Sequence, residues 1–544
     1  MLSPPESLRD RISQLIFPRI GSNMSPSISV EEDAERIENL MRDYPIGGLC
    51  LFNGDRIRTP QTLTRLQSLA RFPLLVGTDM ERGLGQQLRG ATVFPHAMAF
   101  QAIGDLDEEL LEAAARAAAR EALAAGLHIS FSPVADVNSN PLNPIISTRA
   151  FGTSAETVSR LVSAYIRGCN GEGLLSTAKH FPGHGGTDLD SPESRPVVSS
   201  NRKNLEELEL IPFRRAIESG VSLVMTAHVG YPGLDETGVE ATRSREIVTE
   251  LLRKRLNFRG AVISDSLMMS GVERGDEHPG ALAADVLKAG VDILLDVNDV
   301  PATVEYLTTA VLSGDLSRSV VDTAFERVWS LKTRLAARFG KGMFIDPSLA
   351  QPLSVIGRDE HRVLARRIAS ESIQLAIGEK EEIGLRTPRM GQKGPLFILI
   401  EPRQISHDSG TDFLEKLFLS AFPLGSFCNI GPDAEGDDYS GLIEEASDHS
   451  DLIVGMIVKP SAGHTYGLLP FQKQLVDDLV SAHPVYLAAL GSPVVLADFQ
   501  DVRASICAYS DVEPSMSALV DFLVELKPGP SIAPLVLSTL RGES

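Results

Sequence analysis

The order of apolar and polar positions changes character near residue 340. Up to that point, short apolar runs at 14–20, 46–52, 73–79, 127–136, 173–181, 221–229, 260–266 and 291–297 alternate with longer amphipathic stretches. One of these, 106–126, is rich in Ala, Leu, Glu and Arg, all good helix formers. Most of the apolar runs are unbroken rather than alternating, as expected of parallel strands buried on both faces. Eight strands spaced by helices predict a (β/α)8 TIM-like barrel, with a doubly wound open sheet as the alternative. Gly and Pro in 333–352 then close the last helix. The expected organisation is a barrel over 1–340, a linker over 341–370 and a smaller α/β/α sandwich over 371–544. Strands of the sandwich are expected at 372–378, 396–402, 451–458, 484–491 and 504–510, and the acidic stretch 433–451 reads as a solvated loop and helix face.

Composition narrows the function. The 544 residues carry 51 Lys and Arg against 72 Asp and Glu, a net charge of −21. Such a balance disfavours nucleic acid or an anionic membrane as partner, because neutralising phosphates needs a basic face. Cys50, Cys169, Cys428 and Cys507 are widely spaced with no CxxC pair, so they predict reduced, mostly buried thiols rather than a zinc or disulfide framework. No apolar run approaches the roughly 20 residues of a membrane span. The N-terminal stretch lacks a basic start followed by an apolar segment, which leads to an expectation of a cytoplasmic protein. GxSxG and GxxxxGK[ST] are absent, and Gly83-Leu84-Gly85 is too short for a dinucleotide loop. The expectation is therefore no cofactor, no metal, and a monomer or weak homo-oligomer.

In a barrel, residues just past the carboxyl ends of the strands surround one pocket. Here those positions hold Asp79, Asp136, Lys179-His180, His228 and Asp265. Ionisable groups at the ends of apolar runs are costly to bury without partners, so packing alone explains them poorly. Asp79 and Asp265 are also placed to cap the helices that follow. His180 and His184 are four apart, but Phe181-Pro182-Gly183 between them breaks the helix that a metal pair would need. A ring of Lys, Asp, Arg and His suits the hydroxyls of a small carbohydrate, and the chemistry is left to carboxylates.

Five segments carry a closer likeness: TDMERGLGQQLRGATVFP (78–95), SPVADVNSNPLNPIISTRAFG (132–152), AKHFPGHGGTDLDS (178–191), MTAHVGYP (225–232) and FRGAVISDSLMM (258–269). In these the chain resembles the family 3 glycoside hydrolases, in their β-N-acetylglucosaminidase branch. LGSPVVLADF (490–499) extends the likeness to the family's second domain. The resemblance implies that Asp265 is the nucleophile of a retaining exo-β-glycosidase. It implies that Asp79, Arg149, Lys179 and His180 hold sugar hydroxyls, and that Thr187 to Ser191 belong to the loop carrying the general acid. Two departures stand out. The branch's loop reads Asp-Ser-His, its histidine being the acid/base, whereas this chain has Asp190-Ser191-Pro192-Glu193. Glu193, with Asp190 as a second loop carboxylate, is the nearest replacement; an acid from the second domain is another. Gln87 occupies a position where the family usually has a substrate-binding arginine, and Arg89 is the nearest substitute. A β-glucosidase, a glycoside phosphorylase and a catalytically silent sugar-binding relative remain as alternatives.

Overall fold

A computed structural model describes residues 2–187, 196–269, 278–378, 385, 388, 390–402, 411–434, 441–460 and 466–525. By mutual contact the chain gathers into two compact units. One comprises Met1–Thr92, Leu111–Val137 and Ser154–His361; the other comprises Val93–Leu110, Asn138–Thr153 and Arg362–Ser544.

The first unit holds the expected barrel fold, with bounds that differ from 1–340: residues 93–110 and 138–153 group with the second unit, and the first runs on to 361. Among the described residues its strands are β1 (16–20), β2 (Gly48–Leu51), β3 (Leu75–Thr78), β4 (Ile129–Ser130), β5 (Leu175–Phe181), β6 (Leu223–Thr226), β7 (Ala261–Ser264) and β8 (Leu294–Leu295). Each falls within one of the eight apolar runs. Neighbouring strands pair in parallel from β1 round to β7. The ring closes where Ile263 bridges Ile293 and where Ile16 and Phe17 pair with Leu294 and Leu295. β1 serves both edges of this closure. Pro18, which has no N–H to give, divides it into a half facing β8 and a half, Arg19–Ile20, facing β2. Helices stand between the strands with caps that the sequence supplies. Val30–Asp43 starts on a Ser29/Glu32 capping box, and Ala155–Glu172 runs from Ser154 to a left-handed Gly173.

The second unit holds a six-stranded sheet among its described residues. The strands are β9 (Gln374–Ile377), β10 (Leu396–Ile400), β11 (Ser426–Ile430), β12 (Leu452–Met456), β13 (Val485–Ala489) and β14 (Ala504–Cys507), in the order β9-β14-β13-β12-β10-β11. Only β9 is antiparallel. Leu396, Ile398 and Ile400 face one apolar cluster with Leu475, Val476 and Leu479 of helix Pro470–Ala482. Phe397 and Leu399 face another with Leu414 and Phe418 of helix Thr411–Ala421. The sheet is thus covered on both sides, an α/β/α layering. β11 is absent from the sequence expectation. It is an edge strand, half-exposed over most of its length, so its residues carry no buried apolar run to read.

Cys50, Cys169 and Cys507 are buried and Cys428 half-buried, all as free thiols. Among the described residues no helix is long and apolar enough to cross a membrane.

Candidate active site

The barrel mouth is built by the residues that follow each strand. Lys179, within β5, is 2% exposed and lies 2.7 Å from both Asp79 Oδ1 and Glu81 Oε1, just past β3. Two carboxylates compensate the burial of its ammonium group. The next residue, His180, turns to a different partner: its Nδ1 is 2.7 Å from Asp136 Oδ2. Because an ionised carboxylate can only accept, Nδ1 carries the proton. Adjacent strand residues normally point to opposite faces. The register shift in β5 between Ala178 and Phe181 accompanies the approach of both side chains to mouth carboxylates.

Asp136, fully buried, is a hub: it also accepts the backbone N–H groups of His180 at 3.2 Å and His184 at 2.8 Å. His184 Nδ1 meets the Thr187 hydroxyl at 3.1 Å, and that hydroxyl donates to the His184 carbonyl. Tyr231 Oη donates to the Gly183 carbonyl at 2.6 Å. Gly183 has φ +132°, and a Cβ there would lie 2.5 Å from Glu209 Oε2 and 2.7 Å from Glu209 Cβ. Gly183→Ala is therefore expected to cost about 1–3 kcal/mol in denaturant unfolding and to lower activity by shifting the 182–187 segment. Unchanged stability would show that the turn relaxes freely.

Asp265 follows β7. Burial raises its carboxyl pKa, but His180, His228, the Ser266 N–H at 2.8 Å and Lys179 together outweigh that and hold it below its ordinary value. These influences place Asp265 in one electrostatic neighbourhood with His180, His228 and Lys179. His228 spends both ring nitrogens on the protein. Nε2 donates to the Ser266 carbonyl at 3.0 Å and Nδ1 lies 2.8 Å from the Thr242 hydroxyl. Burial pushes its pKa down, favouring the neutral ring.

The other sequence-derived residues are placed as follows. Arg89 is exposed and donates to Asn53 Oδ1 at 2.8 Å. Gln87 is buried and accepts from Asn23 Nδ2 at 2.9 Å. Arg149 belongs to the second unit, where its guanidinium donates to the Ile145 carbonyl. Asp190 and Glu193 lie outside the described residues. Glu81, to which sequence reasoning gives no site role, and Asp136, which it places at the mouth without a partner, are the partners of Lys179 and His180. Their signal was position alone: Asp136 ends the run 127–136, and Glu81 lies two residues past the run 73–79. Among the described residues no group of three or more His, Cys, Asp or Glu is arranged to hold a metal ion.

A closed parallel barrel with carboxylates, lysine and histidines gathered at its carboxyl end belongs to the α/β-barrel class that works on small polar molecules at that face. Residues 7–331 match the model of the glycosyl hydrolase family 3 N terminal domain, and the chain belongs to that family. It is 31% identical over 370 residues to a beta-N-acetylglucosaminidase/beta-glucosidase of Cellulomonas fimi, covering 66% of this chain and 63% of that protein. It therefore spans less than two thirds of that relative's length. It is 33% identical over 291 residues to a beta-hexosaminidase of Nitrosomonas eutropha, covering 51% of this chain and 80% of that one. Among solved structures, a glycoside hydrolase family 3 beta-N-acetylglucosaminidase from Paenibacillus sp. superposes with a TM-score of 0.82 at 28% identity, over 96% of this chain and 98% of that one.

Proposed function

We propose that this chain is a retaining exo-β-glycosidase that removes terminal β-linked N-acetylglucosamine. The observation that carries this reading is Asp265: a carboxyl at the barrel mouth, kept ionised against its own burial by the groups around it. In the proposed reaction its carboxylate attacks the anomeric carbon while the bond to the leaving oxygen breaks and that oxygen takes a proton. Water then displaces Asp265 with the same proton donor acting as base, so configuration is retained. Asp79, Lys179 and His180 hold the sugar's hydroxyls, their own orientation set by Glu81 and Asp136. Glu193 is the proposed acid/base, with Asp190, three positions earlier in the sequence, as a second carboxylate. Family membership and the likeness to the Cellulomonas beta-N-acetylglucosaminidase/beta-glucosidase and the Nitrosomonas beta-hexosaminidase support the glycone.

The test is hydrolysis of an aryl β-N-acetylglucosaminide by purified protein. The name of the Cellulomonas relative also includes a beta-glucosidase, which favours a second reading in which β-glucosides are cleaved as well. Aryl β-glucoside rates measured in parallel, with and without phosphate, separate hydrolysis of either glycone from phosphorolysis. A cytoplasmic location and a part in cell-wall fragment turnover extend the same family reading; fractionation of the producing cell checks the first.

A further inference from the structure

We infer that Asp296, paired with Arg19, is a positioning residue for Asp265, acting through Ser266. This rests on the glycosidase reading and adds to it a pair that the family likeness did not single out. Asp296 directly follows β8, is 2% exposed and sits at φ +55°. A left-handed, buried, charged aspartate is costly on each count, so the surroundings must over-determine it. They do. Its Oδ2 accepts the Ser266 hydroxyl at 2.6 Å and the Arg19 guanidinium from β1.

Ser266 is held at three points. Asp296 takes its hydroxyl, His228 donates to its carbonyl at 3.0 Å, and its N–H rests on Asp265 Oδ1 at 2.8 Å. The N–H that stabilises the Asp265 carboxylate is therefore aimed by a side chain from the next strand of the barrel. Arg19 has a second task. Unneutralised, the Asp296 charge would oppose ionisation of Asp265, since like charges disfavour one another. Pairing with Arg19 allows a carboxylate to do the anchoring without that penalty. Asp296 belongs to the same mouth by another sign: the buried Cys50 thiol is pushed up first by burial, then by Asp296, Asp79 and Asp265.

Arg19 and Asp296 also line a cavity of about 520 Å³, together with Ile28, Asp33, Arg36 and Met268. A small ion has room to reach the pair, so chemical rescue is available as a readout. The 544-residue chain is treated with an activated fluoro-glycoside that labels the nucleophile, and the labelling rate is compared with the affinity for a reversible monosaccharide inhibitor. Asp296→Asn and Ser266→Ala are each expected to slow labelling by about 10²-fold, the scale of a small misplacement near reacting atoms. Inhibitor affinity should stay unchanged, because Asp79, Lys179 and His180 hold the sugar. Ser266→Ala keeps the Arg19–Asp296 pair and covers the case in which Asp296→Asn fails to fold. The double variant should be no slower than the slower single, as expected of two members of one unit. Millimolar guanidinium should restore Arg19→Ala but not Asp296→Asn. Variants that label at the wild-type rate, effects that multiply, or inhibitor affinity that falls in step with labelling would overturn the inference alone. A wild-type chain that takes no label would overturn the glycosidase reading on which it rests.

Discussion

Asp265→Asn is expected to reduce turnover of aryl β-N-acetylglucosaminides on the order of 10⁶-fold, the scale of losing a covalent nucleophile. Asparagine fills the same space and can still accept from the Ser266 N–H, so folding should survive and the loss should fall on chemistry. The pH profile carries a second expectation. Burial raises the Asp265 pKa, but His180, His228, the Ser266 N–H and Lys179 bring it below the ordinary value. The acidic limb of kcat/KM should therefore hold down past about pH 3.9, the unperturbed aspartate value. The linkage has the same sign: stabilisation from this ionised carboxyl is present above the unfolded pKa and lost as pH falls through the folded one. An acidic limb well above that range, with wild-type folding, would assign the essential carboxylate elsewhere.

The second large effect concerns the proton donor. Glu193→Gln is expected to slow substrates with poor leaving groups by about 10²–10⁴-fold, the usual worth of general acid catalysis. Aryl glycosides whose phenol leaves without help should slow much less in their first step. Equal slowing of both classes would show that Glu193 is not the acid. Pro192, where the likeness puts a histidine, makes this experiment decisive, because proline has no proton to give. A catalytically silent sugar-binding relative would bind the monosaccharide and respond to neither substitution.

The barrel was legible because each of β1 to β8 is a buried parallel strand, and burial on both faces writes an unbroken apolar run. β11 was not, because an edge strand faces solvent and its sequence need not be apolar. At the mouth, Asp79, Asp136, Lys179, His180, His228 and Asp265 stood out by their place at strand ends. Glu81 and Asp296 stood equally close to strand ends but were passed over, and the roles of these two and of Asp136 depend on partners far along the chain. The Asp296 contact to Ser266 spans the β7–β8 crossover, and that of Asp136 to His180 joins β5 to the segment after β4. Such pairings arise from closure of the barrel, which local pattern does not encode. Arg89 illustrates the converse: proximity to Gln87 in sequence suggested a substitute, yet the side chain reaches Asn53. His228 stands at a mouth position by sequence, and in the structure both its ring nitrogens meet protein groups, the Thr242 hydroxyl and the Ser266 carbonyl.

The most direct measurement is peptide mass spectrometry of the chain after exposure to a slow-releasing activated glycoside. The peptide containing Asp265 should gain the mass of one sugar residue, and the gain should vanish when the label is allowed to turn over. Labelling at another carboxylate, or turnover of aryl glycosides with no adduct under conditions that trap slow intermediates, would contradict the account.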